Sequence, residues 1–596
     1  MTDPRAEYGR RLHVWRERIA TFDRTHLLIS NSRLVVALGG AVFFWLAFVR
    51  RTLPPAWPIG AAIVFTGLVV RHARLLQRAD RARRAEQWYA RGVDRLDGRW
   101  AGRGRAGVRF LEGHDYARDL DLFGRGSLFE LLNTAHTEAG EDALARSIGA
   151  GAPIAEVVAR QAAVDELRDK IDFREDLAVL SAESEVSRTG AMAAWAGSPP
   201  AGLTTLAAVV FAGCAAATVS VAALVLMERL GARWLLFWLV VESGVIMAWQ
   251  RPVRRALSGV ATADHDLALV RDLLARIEVE PMRAPLLAAI RQRLLTDGMP
   301  PSRRIAQLRR LVSWLDSTRN QMFAPFALAL LLPQQLASAI DRWHAAYGAR
   351  VVEWLVAIGE LEALAAIGTY AFEHPRDPFP SLTEDGPLFE ADALGHPLMP
   401  EDASVRNDVA LGHRAPRVAV ISGSNMSGKS TLLRSVGVNV VLALAGAPVR
   451  AGRLQLSPLV IGATLKVEDS LQAGHSRFYA EILRIRDIVN GARTAAAPWS
   501  MLFLLDEILH GTNSYDRRIG ADAIVRALVG YGAIGFVTTH DLALTELPPK
   551  LGAVAANMHF EDRLEDGKMT FDYRMRPGVV EHSNALALMR AVGLDV

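Results

Sequence analysis

The 596-residue chain has a single cysteine, Cys214. One thiol excludes an internal disulfide and a cysteine-built zinc site, so nothing here calls for an oxidising compartment. Lysine is scarce, and arginine supplies most of the 68 basic residues behind a net charge of +4. So small an excess suits nucleic acid, anionic lipid or an ordinary solvated face. An arginine- and alanine-rich chain also fits a GC-rich, bacterial genome. The chain opens without an apolar core; Arg5, Arg10, Arg11, Arg16, Arg18 and Arg24 stand there instead. A cleavable signal peptide is therefore not expected.

What is abundant is hydrophobic residues, 51% of the chain. That share is high for a soluble enzyme and points to membrane segments or very apolar helices. The length predicts roughly two to four domains. Four apolar runs stand out: 34–49, 53–70, 201–227 and 234–249, the last interrupted by Glu242. A bilayer core takes roughly 20 apolar residues, and Trp45, Trp57, Trp234, Trp238 and Trp249 lie near the run ends, where interfacial aromatics belong. Two membrane hairpins are expected. Arginines 71, 74, 78, 81, 83 and 84 follow the second run, and Arg251, Arg254 and Arg255 follow the fourth. Positive-inside counting then puts both termini and everything between the hairpins in the cytoplasm of a multi-pass cell-membrane protein. Glu242 is expected near an interface or facing the other helices.

Outside these runs the first two thirds reads as helix. Ser127-Leu-Phe-Glu130 looks like a capping box opening a helix over 126–147. Segments 155–180, 263–293, 302–316 and 351–370 continue in helical period. The Pro-rich stretch 374–387 marks a boundary. Beyond it, Val418–Ile421, Met501–Leu505 and Ile534–Thr538 are short apolar runs alternating with helical segments, the pattern of a parallel sheet covered by helices. A late hairpin is expected around Glu565-Asp566-Gly567.

Gly423, Ser424, Asn425, Met426, Ser427, Gly428, Lys429 and Ser430, followed by Thr431, fit the phosphate-loop pattern G-x-x-x-x-G-K-[ST] in full. The glycines let backbone N–H groups wrap phosphate oxygens, and a helix N-terminus adds its positive dipole end. Lys429 would bridge the terminal phosphates of a nucleoside triphosphate, ATP by expectation, and Ser430 would hold Mg²⁺. Asp506 and Glu507 end an apolar strand. Asp506 would reach the Mg²⁺, and Glu507 would act as the base that orients water. His540, at the end of the next strand, would sense the γ-phosphate.

These residues resemble the ATPase domain of the MutS family. The phosphate loop, Asp506-Glu-Ile-Leu-His-Gly-Thr-Asn-Ser-Tyr-Asp516 and Thr539-His540 carry the likeness, and Asp469 to Glu481 is similar to the family's signature segment. More weakly, Ser127 to Thr134, 140–148 and Arg160-Gln161 resemble the start of its helical core-and-lever domain, while His396-Pro397 and Asn407-Asp408 resemble the lead-in to its ATPase domain. The resemblance implies an α/β P-loop NTPase domain, with an ABC-ATPase-like parallel sheet, over 389–596. A helical core and lever would occupy 126–388, interrupted by the second hairpin, after a basic N-terminal region, 1–125. It implies that Asn425 contacts phosphate and that Ser476 acts on the partner subunit's ATP in a homodimer with composite sites. It also implies DNA as a partner. Two departures are specific: His510 stands where the family has Arg, and Arg477 where it has Thr beside the trans serine. The family's mismatch readers carry a separate N-terminal domain with a Phe-x-Glu wedge; none is expected here. Arginine-rich 71–105 offers membrane lipid a surface, and an ATPase driving transport or membrane remodelling without DNA is the other expectation.

Overall fold

The structure, a computed structural model, describes residues 3–580 except 183–188, 259, 261–263, 296–297, 322, 425, 467–476 and 566–567. Its spine is one 42-residue helix, Leu332–Glu373, with most of its length buried. The expected segment 351–370 is only the later part of it. Around the spine pack Glu138–Gly149, Ile154–Asp169, Pro285–Leu294 and Pro301–Ser317.

Three expected helices are broken. The 126–147 stretch forms Leu128–Leu132 and Glu138–Gly149, because the Thr137 hydroxyl accepts from Gly140 N and starts a second helix. The capping box is half formed: Ser127 Oγ accepts from Glu130 N at 3.2 Å, but the Glu130 carboxylate instead accepts from the Gly126 and Gly104 amides. Residues 155–180 divide at Lys170, and 263–293 divides before Pro285.

Among the described residues, four helices are long and apolar enough to cross a membrane: Pro4–Val49 counted through a terminal π turn, Ala56–Leu96, Thr205–Leu226 and Ala232–Leu257. The first two are more than twice as long as their apolar runs. Pro4–Phe44 and Ala56–Leu96 have 41 residues each, about 60 Å of helix, paired antiparallel. Arg16–Glu86 and Asp23–Arg83 ion pairs tie their polar halves, and the apolar residues gather at the tip, where Leu34, Val35, Leu38, Ile59 and Ile63 are exposed. In the second hairpin, residues 201–204, expected inside the third span, precede the helix: the buried Asp341 carboxylate accepts from Ala201 N and Leu203 N at 2.6 and 2.7 Å. Glu242 faces the neighbouring helix, where it accepts from Thr218 Oγ1 at 3.1 Å.

The C-terminal part holds two sheets. β1 (Ser381–Leu382), β2 (Leu388–Leu394), β3 (Asn407–Gly412) and β5 (Arg453–Leu456) form a four-stranded sheet in the order β1-β5-β2-β3. β4 (Val418–Ser422), β6 (Leu459–Thr464), β7 (Ser500–Leu505), β8 (Ile534–Thr539), β9 (Ala555–Glu565) and β10 (Lys568–Pro577) form the second, ordered β10-β9-β4-β8-β7-β6. All its neighbours are parallel except β9 and β10. Every residue of β4 and of β8 is buried, as the continuous apolar runs of a strand covered on both faces require. One hydrophobic core runs from Leu120 through the spine to Ile421 and Phe560, so helical and sheet parts are packed as one body.

Candidate nucleotide site

β4, β8 and β7 lie side by side and end at the same edge of the sheet. Three sequence segments far apart therefore meet at the carboxyl ends of parallel strands, where open α/β sheets bind ligands. From β4 the chain turns through 423–428 into the helix Lys429–Leu444. Gly428 has φ +104°, a conformation in which a side chain would be strained and where a Cβ would also press on Tyr573. Lys429 is buried, and its ammonium donates to Gly423 O and Ser424 O, both at 2.7 Å. Burial pushes the Lys429 ammonium below the usual lysine range, with Glu507 and Asp506 pulling the other way.

Ser430 Oγ donates to Asp506 Oδ2 at 2.6 Å. Thr538 Oγ1 donates to the other Asp506 oxygen and accepts from Glu507 N at 3.0 Å. Thr538, from the strand between, thus locks both acids, a role the sequence reading did not assign. Glu507 and Leu509 have φ +48° and +55°. Left-handed backbone at such residues costs on the order of 1 kcal/mol or more each and needs support. Buried Glu481 supplies some by accepting from Leu509 N at 2.6 Å. Phe478 packs where a Cβ on Gly511 would stand. His540 Nδ1 lies 3.6 Å from Glu507 Oε1.

The cleft over these residues has a volume of about 700 Å³ and is lined by Met426, Lys429, Ser430, Asp506, Glu507 and Tyr573. Ser424 Oγ and Ser427 Oγ are buried beside it without a hydrogen-bond partner among the described residues. Unpaired hydroxyls in a glycine-flanked loop at a helix N-terminus fit a group rich in acceptor oxygens, and a hydroxyl beside a carboxylate fits Mg²⁺. Asn425 and Ser476 lie outside the described residues. The Phe-x-Glu expectation needs correction: Phe110-Leu111-Glu112 does spell that triplet. Phe110 is not a free wedge, since its ring packs 5.5 Å from both Phe123 and Phe129 under the Arg109 guanidinium.

Residues 419–595 match the family model MutS domain V. Over 273 residues the chain is 29% identical to the DNA mismatch repair protein MutS of Methanosarcina mazei, covering 45% of this chain and 29% of that protein. It is 31% identical over 252 residues to the endonuclease MutS2 of Thermus thermophilus, covering 41% of this chain and 31% of that protein. It is 27% identical over 316 residues to the probable mismatch repair protein Msh6 of Drosophila melanogaster, covering 50% of this chain and 25% of that protein. The match spans less than a third of each relative's length. By its match to domain V and by these relatives, the C-terminal part of the chain is similar to the MutS family.

Proposed function

We propose that the chain is a membrane-anchored MutS-family ATPase. The observation that carries this reading is the Ser430–Asp506–Thr538–Glu507 chain of hydrogen bonds beside the Lys429 loop. It fits a triphosphate held by the 423–431 backbone and Lys429, with Mg²⁺ at Ser430 and Asp506. Bound Mg·ATP would supply the scissile γ-phosphoryl bond. Lys429 would exchange its two carbonyl acceptors for phosphate oxygens, which restores a full charge partner to a buried ammonium. Glu507 would hold and deprotonate the attacking water, with Thr538 fixing its backbone and His540 its carboxylate. Asn425 would add a phosphate contact. A homodimer with Ser476 reaching the partner's ATP follows from the family likeness, and closure on ATP would move the helical region.

The exposed apolar tips of both hairpins support insertion in a membrane, with the termini in the cytoplasm. DNA binding, to mismatched or damaged duplex, rests on what the relatives' names say of those proteins. Glu242, buried between two apolar helices with one carboxylate oxygen unpaired among the described residues, favours the second reading, in which hydrolysis drives transport or remodelling without DNA. Detergent-solubilised protein tests both. Lys429→Ala should abolish nucleotide binding, and normal binding and turnover by that variant would end the ATPase reading. Stimulation of turnover by homoduplex, mispaired or branched DNA supports the first reading; no response to any of them supports the second.

A further inference from the structure

His510 lies three residues after Glu507, in the turn that follows β7. The nucleotide reading gives it no task. Its ring lies 5.1 Å from that of His540, edge to face at 86°. One ligand atom each from Glu507, His510 and His540 all fall within 4.8 Å of one another. We propose that these three side chains form a binding site for a transition-metal dication, zinc foremost, and that metal held there withdraws Glu507 from its work as base. The inhibitory half rests on the ATPase reading above; the site itself does not.

The turn that presents the three groups is built firmly. After β7, left-handed backbone at Glu507 and Leu509 swings the chain back, so that residues three apart face His540 at the end of β8. Arg517 holds the outgoing carbonyls, donating to Leu509 O at 3.3 Å, Thr512 O at 3.1 Å and His510 O at 3.4 Å. Glu481 and Phe478 hold the inner side. The two histidines are exposed and Glu507 half-buried, so ordinary side-chain rotation can draw the ligand atoms to the roughly 2.0–2.2 Å that zinc takes with nitrogen and oxygen, leaving a fourth position open.

The donor set decides the metal. Two imidazoles and one carboxylate suit Zn²⁺, Co²⁺ or Ni²⁺, whereas Mg²⁺ wants oxygen alone. The position differs from that of Ser430 and Asp506, which offers a hydroxyl and a carboxylate. Pairing of His540 with Glu507 merely to orient the imidazole would need no second imidazole. A carboxylate bound to zinc has given up the lone pair it would offer water, so metal and hydrolysis compete for Glu507.

The test uses full-length protein in detergent, stripped with chelator and titrated with Co²⁺, whose visible absorption reports nitrogen ligation without any turnover. MgATP hydrolysis is followed in parallel with and without Zn²⁺. The expected result is a saturable cobalt spectrum displaced by Zn²⁺, and inhibition of hydrolysis by micromolar Zn²⁺. In His510→Asn both affinities should fall by more than about tenfold, the least that loss of an outer-shell partner typically costs, while metal-free hydrolysis persists. A cobalt spectrum of unchanged affinity in His510→Asn would overturn the site. Zinc inhibition that persists in that variant would overturn the inhibitory half. His510-dependent cobalt binding in a protein that never hydrolyses ATP would instead remove the ATPase reading and leave the site standing.

Discussion

Asp506 has both carboxylate oxygens committed, one to Ser430 and one to Thr538, and Thr538 in turn holds the Glu507 amide. The Glu507 carboxylate lies beside His540. On the ATPase reading, Glu507→Gln preserves shape and removes the base. Hydrolysis should fall by roughly 10²–10⁴-fold, the usual worth of general-base catalysis, while ATP affinity stays close to that of the parent. Single-turnover hydrolysis alongside equilibrium nucleotide binding measures the split; equal loss of both would take Glu507 out of the base role. His396, on the wall of the same cleft, carries a pH-dependent effect. Burial, then the Arg434 charge, pushes its imidazole down to about 4, and Leu398 N donates to its Nδ1, which must therefore be unprotonated. The unfolded chain would take up that proton near 6.5, so it binds more protons than the folded one between the two values. His396 thus supports the fold fully above about pH 6.5, and that support is lost as pH falls toward 4, at most on the order of 3 kcal/mol. Melting temperature measured from pH 7 to 4.5 should fall more steeply in the parent than in His396→Gln.

At the scale of elements, one buried carboxylate ties both helices of the first hairpin to the spine. Arg95, from its second helix, grips Glu373 at the end of the spine with contacts of 2.6–3.1 Å, and Tyr8, from its first helix, donates to the same oxygen at 3.1 Å. Both ionic groups are almost wholly buried. Removing the guanidinium strands a buried charge, so Arg95→Ala should cost about 3–5 kcal/mol, far more than loss of the exposed Arg16–Glu86 pair. Thermal unfolding of Arg95→Ala and Arg16→Ala in detergent compares the two; equal shifts would mean that the hairpin is seated elsewhere. The strands around the site were legible because buried parallel strands read as unbroken apolar runs, as Met501–Leu505 does. The helix breaks at 133–137 and Lys170 were not legible, since the periodicity on both sides continues across them. Nor could sequence show Thr538 beneath Asp506: strand order, not chain order, makes them neighbours. The phosphate loop was legible because one continuous segment carries all its parts. The four-stranded sheet was missed because its strands are short and their partners lie far along the chain, as β1 with β5.

For the whole molecule, two hairpins with bare apolar tips grow from a body whose helical and sheet parts share one core. If they lie in lipid, alkaline carbonate should leave the protein in the membrane pellet, because stripping peripheral charge contacts does not extract buried apolar helices. Release into the supernatant would mean that the tips pack against protein instead. The four apolar runs were legible from composition alone. The long polar shafts below the first pair were not, because arginine-rich helix and arginine-rich linker look alike without the partner helix that pairs with it.

The tightness between the two halves has a practical corollary. On the helix that begins with Lys429, a Cβ at Gly437 would come within 2.6 Å of Leu120, and one at Gly446, in the turn just past its end, within 2.5 Å of Arg160. The underside of that helix is thus floored by chain belonging to the other half. Excising the sheet-containing portion at the proline-rich connector would leave that underside bare and greasy. Such a fragment should clump rather than turn over ATP, whereas one that keeps Leu120 and Arg160 retains its floor.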